Sequence, residues 1–271
     1  MIRHSRRRIS CRHRGRTLNG LLALIACSFS TAAHSAGPEN GFVPLTGEDG
    51  KAHWIGYGHD AVENRWPESW ELRDGVLHAT GGGVDLKTSE QFGDFDLRFQ
   101  WKIPPGGNSG VMYRVSQESE PAYYTGPEYQ LFDAEGFADP ITPDMESAAV
   151  FGLYAPGVQA ARPPGQWNEG RIVIRNNRVE HFLNGQKVVQ YALGSDDWKA
   201  RVAASKFAAW EKFGKNPRGH IVLQDHGTEV WFRDVRIKRL SDGSDEKQTP
   251  LRAQGSRVRK HGFRFLDRKC R

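Results

Sequence analysis

Cysteine is scarce in this chain and, in its middle, missing. The only three in 271 residues are Cys11, Cys27 and Cys270, so the region between holds no internal disulfide, no thiolate metal site and no cysteine nucleophile. Net positive charge is also missing from the middle. Of the formal +6, residues 1–36 contribute seven Arg and no acid, and residues 241–271 contribute nine Lys or Arg against four acids. Between them stand 22 basic and 28 acidic residues, a balance that repels phosphate backbones and excludes a nucleic-acid groove. The apolar stretch Leu21–Ala26 is too short to span a membrane. Runs of strong helix formers are few, whereas 8 Trp, 14 Phe, 7 Tyr and 30 Gly favour many short strands and tight turns.

The front of the chain has the layout of a secretory signal: Arg-rich residues 3–16, the apolar stretch, then small residues to Ala36. Cleavage among Thr31-Ala32-Ala33 or near Ala36 would release the protein. The tetrad Leu24-Ile25-Ala26-Cys27 instead resembles a bacterial lipobox, which would make Cys27 a lipidated first residue and attach the protein to a membrane. Ser5-Arg6-Arg7-Arg8-Ile9 also looks like a twin-arginine signal. The expected location is the periplasm or the outer membrane. The organisation read here is a signal in 1–36, one folded domain in 37–240 and a basic, disordered tail in 241–271.

Within the domain, Asp94–Ile103 alternates polar and apolar residues without a break, the period of a half-buried strand. Asp74-Gly75 and Asn184-Gly185 are hairpin turns, because both positions of such a turn need residues that tolerate positive φ. Strands are predicted at 70–73, 76–79, 109–115, 127–133, 148–154, 171–175, 178–183, 186–191, 219–225 and 229–239. One helix is predicted after Ser195, with Trp198, Val202, Ala209, Trp210 and Phe213 on its apolar face. The pattern implies an all-β fold, a two-sheet jelly-roll sandwich with one short helix, whose sheet face would carry polar and aromatic side chains for a sugar.

A retaining glycosidase on such a face needs two carboxylates about 5–5.5 Å apart, which alternate positions of one strand supply. That pattern is missing: Glu128-x-Gln130 has an amide where the second acid would be. The polar residues that do sit in strand-like segments are Asn108, Arg114, Glu128, Gln130, His181, Gln224, Asp225, His226 and Arg233. Glu128 and Gln130 share one face; so do His220, Val222, Gln224 and His226. Arg233 has the parity of Val235 and Ile237, so in a regular strand it points inward and needs an acid such as Glu128 or Asp225. A solvated outer face is the plain alternative for Glu128, a surface or hydrogen-bonded strand residue for His181, and a tight turn for Asp225-His226-Gly227. Divalent metal binding is left open, since no His and carboxylate spacing diagnoses it.

Trp70–Gly75, Gly107-Asn108-Ser109-Gly110-Val111, Glu128–Asp133, Pro164–Asn168, His181–Gly185 and Gly219–Gly227 with Val230–Arg233 follow one another in an order that resembles the 3-keto-disaccharide hydrolase family, over about residues 40–240. The resemblance implies a concanavalin A-like jelly roll and, for some members, cleavage of 3-keto-glycosides. The chain departs from the family's usual wording at Ala148–Tyr154, and its 155–165 loop is longer. A ketone at C3 acidifies the C2 hydrogen, so such a site needs a base, an enolate donor and an acid for the leaving group, but no nucleophile. The residues assigned are Glu128 or His226 as base, Arg233 with Asn108 or Gln130 as donors, and His181 or Asp225 as acid or orienting partner. Arg114, Tyr154, Trp167 and Gln224 join them as carbohydrate contacts. The rival reading is a noncatalytic carbohydrate-binding module, with Tyr123, Tyr124 and Trp167 as stacking surfaces, and a further one is structural attachment at the cell envelope through Cys27 and the basic tail.

Overall fold

The structure, a computed structural model, describes residues 41–47, 49–58, 65–116, 121–137 and 139–240. The expected signal and basic tail lie outside the described residues. The strands are β1 Val43–Pro44, β2 Trp54–Tyr57, β3 Trp70–Arg73, β4 Val76–Ala79, β5 Asp85–Thr88, β6 Phe95–Lys102, β7 Asn108–Val115, β8 Glu128–Phe132, β9 Asn168–Arg175, β10 Arg178–Leu183, β11 Gln186–Ala192, β12 His220–Leu223 and β13 Val230–Arg239. All pairings are antiparallel. One sheet runs β11-β10-β9-β6-β13-β4-β3 with β1 on β13, and the other runs β2-β5-β12-β7-β8. This is the expected two-sheet jelly-roll sandwich.

Alternation explains how each sheet closes on the other. In β6, Phe95, Leu97, Phe99 and Trp101 are buried between the sheets, and their burial is worth about 1.5–3 kcal/mol for each side chain. Outward-facing Asp96 is gripped by Arg171 Nε and Nη2, both at 2.8 Å. In the small sheet, Leu86, Ile221, Leu223, Val111, Tyr129 and Leu131 point into that core. The intervening positions therefore line the small sheet's other face, where the polar residues of interest sit. The Asp74-Gly75 and Asn184-Gly185 turns take φ values of 51° and 74°, and 49° and 82°, as their residue types allow.

Two predicted elements take another form. The helix stops early: α1 spans Asp196–Ala203, capped by Ser195, whose Oγ accepts the Trp198 N–H at 3.1 Å. Ser205 then caps a separate 3₁₀ turn, Lys206–Ala209, by accepting the Phe207 N–H, because a serine hydroxyl competes well for backbone donors outside a helix. Residues 148–154 form turns instead of a strand. Ala148 and Gly152 have φ of 68° and 67°, and Val150 makes only single bridges to Tyr129 and Tyr154.

Candidate active site

A cavity of about 350 Å³ opens on the outer face of the five-stranded sheet, within the usual range for small-ligand sites of ~300–1,000 Å³. Its floor is Asn108 from β7, Glu128 and Gln130 from β8, and Gln224 and His226 from the segment after β12. Its walls are Tyr123, Phe151, Lys206, Phe207 and Trp210, carried by the loops and the 3₁₀ turn. Strand parity builds this floor, since Tyr129 and Leu131 face the core and leave Glu128 and Gln130 on the opposite side. A larger cavity of about 510 Å³ lies behind residues 193–217, and another of about 200 Å³ lies at the sheet edge near Val43. Neither is lined by a buried carboxyl group.

Glu128 is the centre of the arrangement. It is 8% exposed, and its carboxyl makes no hydrogen bond or ion pair among the described residues. The side chain lies across Gly110 of the neighbouring strand; a Cβ there would run into Glu128 Oε1 and stand 2.7 Å from Cδ. Burial, and secondarily the charge of Asp85, push Glu128 up to about 8, while the Lys206 ammonium pulls it down. Asp85 of β5 is itself pushed up to about 7 by burial and by the Asp225 charge, partly offset by the Asp225 N–H it accepts at 2.8 Å. The charge of Asp85 thus disfavours the ionised form of Glu128.

Amides frame the acid. Gln130 Nε2 donates to Asn108 Oδ1 at 3.2 Å, and Asn108 Nδ2 faces His226 Nδ1 at 3.5 Å. The amide is the donor, so neutral His226 carries its proton on Nε2. Thr228 Oγ1 accepts the Asn108 N–H and donates to its carbonyl, tying the strand to the His226 turn. Asp225 Oδ1 accepts the Gly227 N–H and holds that turn, and its buried Oδ2 has no partner among the described residues. Among the described residues no three His, Cys, Asp or Glu side chains assemble a metal-ligand set.

Of the residues singled out in the sequence, Asn108, Tyr123, Glu128, Gln130, Gln224 and His226 line this cavity, and Asp225 holds the turn that carries His226. Five others do not join them. His181 is in the core, with burial pushing it down to about 4. Its Nδ1–H donates to the Ala148 carbonyl at 2.9 Å, leaving Nε2 to accept from Tyr113, which in turn accepts from Tyr191. Arg233 emerges on the outer face of the other sheet. A bulge with Asp234 at φ 50° breaks the assumed parity, and the guanidinium lies 4.0 Å from the Trp167 ring and donates to Gln100. Trp167 belongs to that same distant face. Arg114 is a buried brace, donating to Asp94, Asn177 and the Gly93 carbonyl. Tyr154 donates to Asp197 and stacks on Tyr191, joining the 148–154 turns to α1.

Asp85, whose charge acts on Glu128, and the lining residues Lys206, Phe151, Phe207 and Trp210 escaped the sequence reading. Asp85 had a signal, because Val84-Asp85-Leu86-Lys87-Thr88 alternates like a strand. Lys206 had none, because its direction depends on where the helix breaks.

Residues 41–238 match the family model described as the 3-keto-alpha-glucoside-1,2-lyase-like domain. A 3-keto-disaccharide hydrolase of Bacteroides thetaiotaomicron is 31% identical over 256 residues, covering 80% of this chain and 87% of that protein. The crystal structure of a candidate glycosyl hydrolase from Parabacteroides distasonis superposes with a TM-score of 0.67 at 31% identity, over 74% of this chain and 95% of that one. A second candidate glycosyl hydrolase from the same organism shares the fold, with a TM-score of 0.59 at 24% identity, over 73% of this chain and 99% of that one. This chain belongs to the 3-keto-alpha-glucoside-1,2-lyase-like family of carbohydrate-active proteins.

Proposed function

We propose that this protein cleaves 3-keto-glycosides in the Glu128 cavity by removing the C2 proton and eliminating the C1 substituent. The observation that carries the reading is the buried, unpartnered Glu128 carboxyl laid over Gly110 among amide side chains. Ionised Glu128 takes the C2 hydrogen as a proton, and the C–H pair forms C2=C3 as the ketone oxygen becomes an enolate. The pair then returns, C1=C2 forms, and the C1–O bond breaks with both electrons leaving on the aglycone oxygen. That oxygen takes the proton that Glu128 has just removed, with the His226 Nε2–H at the rim as a hydrogen-bond donor to it, so Glu128 is ionised again; water later adds its hydroxyl to C1 and its proton to C2. Asn108, Gln130 and Gln224 bind sugar hydroxyls. Asp225 acts by holding the His226 turn. A base held near 8 is about one-tenth ionised at pH 7, so the rate climbs with pH.

The names of the relatives support this reading, and so does the chemistry of a single strong carboxyl base. A second reading is conventional glycoside hydrolysis, for which Asp85, the carboxyl whose charge acts on Glu128, would be the second acid. Incubating the full chain with a 3-keto-glucoside and with the unoxidised glucoside separates the two. Turnover of the keto sugar alone, lost in Glu128→Gln, is expected; equal turnover of both contradicts the elimination. Glycan binding with no turnover at all returns the protein to the class of binding modules. We also propose that residues 1–36 direct export, ending either at lipidated Cys27 or near Ala36. Mass spectrometry of the mature N-terminus tests this, and an intact Met1 contradicts it.

A further inference from the structure

The elimination drawn above passes through an enolate whose oxygen carries a full negative charge, and such a charge in a half-buried cavity needs a fixed positive or donating partner. Arg233, the cation expected to supply it, faces away from the cavity on the other sheet. One lining residue carries a permanent positive charge: Lys206. Resting on the 3-keto-glycoside reading, we propose that Lys206 is a catalytic residue, its ammonium binding the C3 oxygen of the substrate and stabilising that oxygen as it becomes an enolate.

Three observations carry this. First, position: Ser205 restarts the chain as a 3₁₀ turn immediately before Lys206 and swings the side chain over the same cavity that holds Glu128. Second, preorganisation: Nζ sits 4.4 Å from the Phe151 ring centre, 5.4 Å from Phe207 and 5.9 Å from Tyr123. Aromatic faces hold a cation in place without consuming its hydrogen-bond capacity. Third, availability: the ammonium makes no ion pair or hydrogen bond among the described residues, so all three of its protons remain for a ligand. The lysine also acts on Glu128, whose proton affinity it lowers.

The arrangement explains a preference for oxidised sugars. A hydroxyl at C3 offers the ammonium only a weak acceptor, whereas the ketone oxygen gains charge along the reaction, so the cation contributes most in the transition state. The test is steady-state kinetics of the full chain on a 3-keto-glucoside across pH, comparing wild type with Lys206→Met, Lys206→Arg and the control Lys199→Met. Lys199 is an exposed residue of α1, ion-paired to Asp196 away from the cavity. The expected result is a fall of about 10²–10³-fold in kcat for Lys206→Met with a much smaller change in KM. Partial rescue by arginine and an upward shift of the acid limb of the pH profile are expected with it, and the control should match wild type. Lys206→Met with wild-type kcat and an unmoved pH profile overturns the assignment while leaving keto-sugar cleavage intact. Wild type that never turns over the keto sugar overturns both together.

Discussion

Gly110→Ala is the sharpest probe of how the site is built, because it displaces Glu128 without replacing any polar side chain. Gly110 lies in β7 beneath Glu128, and an added Cβ meets Cδ at 2.7 Å and Cγ at 2.8 Å, where ordinary contact begins at 3.4 Å. Oε1 stands closer still, so the carboxyl must retreat by about 1 Å or more, and a misplacement near 1 Å costs about 10²-fold in rate. Gly110 does not have positive φ, so alanine is compatible with its backbone. An alanine in a strand interior recovers about 0.5–1 kcal/mol of conformational entropy. The expected outcome is thus a protein as stable as wild type by thermal melt, with kcat/KM on a 3-keto-glucoside down about 30–100-fold. Full activity in Gly110→Ala would refute the claim that the observed position of Glu128 is the working one. Loss of activity together with a collapsed melting temperature would refute the reasoning on packing.

Asp85→Asn removes a like charge from beside Glu128, so Glu128 ionises more easily and the acid limb of the rate profile moves to lower pH. An unmoved limb, read by initial rates across pH 5–10, would contradict the coupling. His181→Ala should lower stability by about 2–4 kcal/mol in urea melts, since it opens a core cavity and strands the Tyr113 hydroxyl. Arg233→Ala should leave turnover within about twofold, since that side chain serves Trp167 and Gln100 on the opposite sheet. The raised Glu128 also governs stability. It binds its proton more tightly folded than unfolded, so stability is fully present below about 4.5 and declines as pH rises through about 8. Across that window each pH unit removes up to about 1.4 kcal/mol, so Glu128→Gln should melt higher than wild type at pH 9 and similarly at pH 4.

The fold was legible where local chemistry leaves one choice. Asp94–Ile103 alternates cleanly and becomes β6, while the Asp-Gly and Asn-Gly turns adopt the positive φ that their residues permit. Where tertiary contacts decide, sequence patterns misled. Ala148–Tyr154 reads as an apolar strand, yet the region folds into turns whose Ala148 carbonyl receives His181. The helical periodicity after Ser195 continues past Ala203, but Ser205 ends it by offering the backbone a different acceptor.

The site divides along the same line. Parity within β8 puts Glu128 and Gln130 on one face, and parity on either side of His181 was equally informative. Val179 and Leu183 share its side of β10 and are buried, which marks His181 as a core residue. Arg233 was misdirected by a single bulged residue, Asp234, which a linear pattern does not reveal. The effect of the Asp85 charge on Glu128 reaches from β5 to β8 across β12 and β7, and no spacing within one strand encodes it.

The account stands on a proton leaving carbon at C2. The direct measurement is deuterium incorporation: the full chain turns over a 3-keto-glucoside in D₂O, and the released 3-keto sugar is analysed by NMR and mass spectrometry. The account predicts one deuterium at C2, formed at the rate of bond cleavage and lost with Glu128→Gln. Cleavage that leaves hydrogen at C2, or exchange that proceeds unchanged in Glu128→Gln, would contradict it.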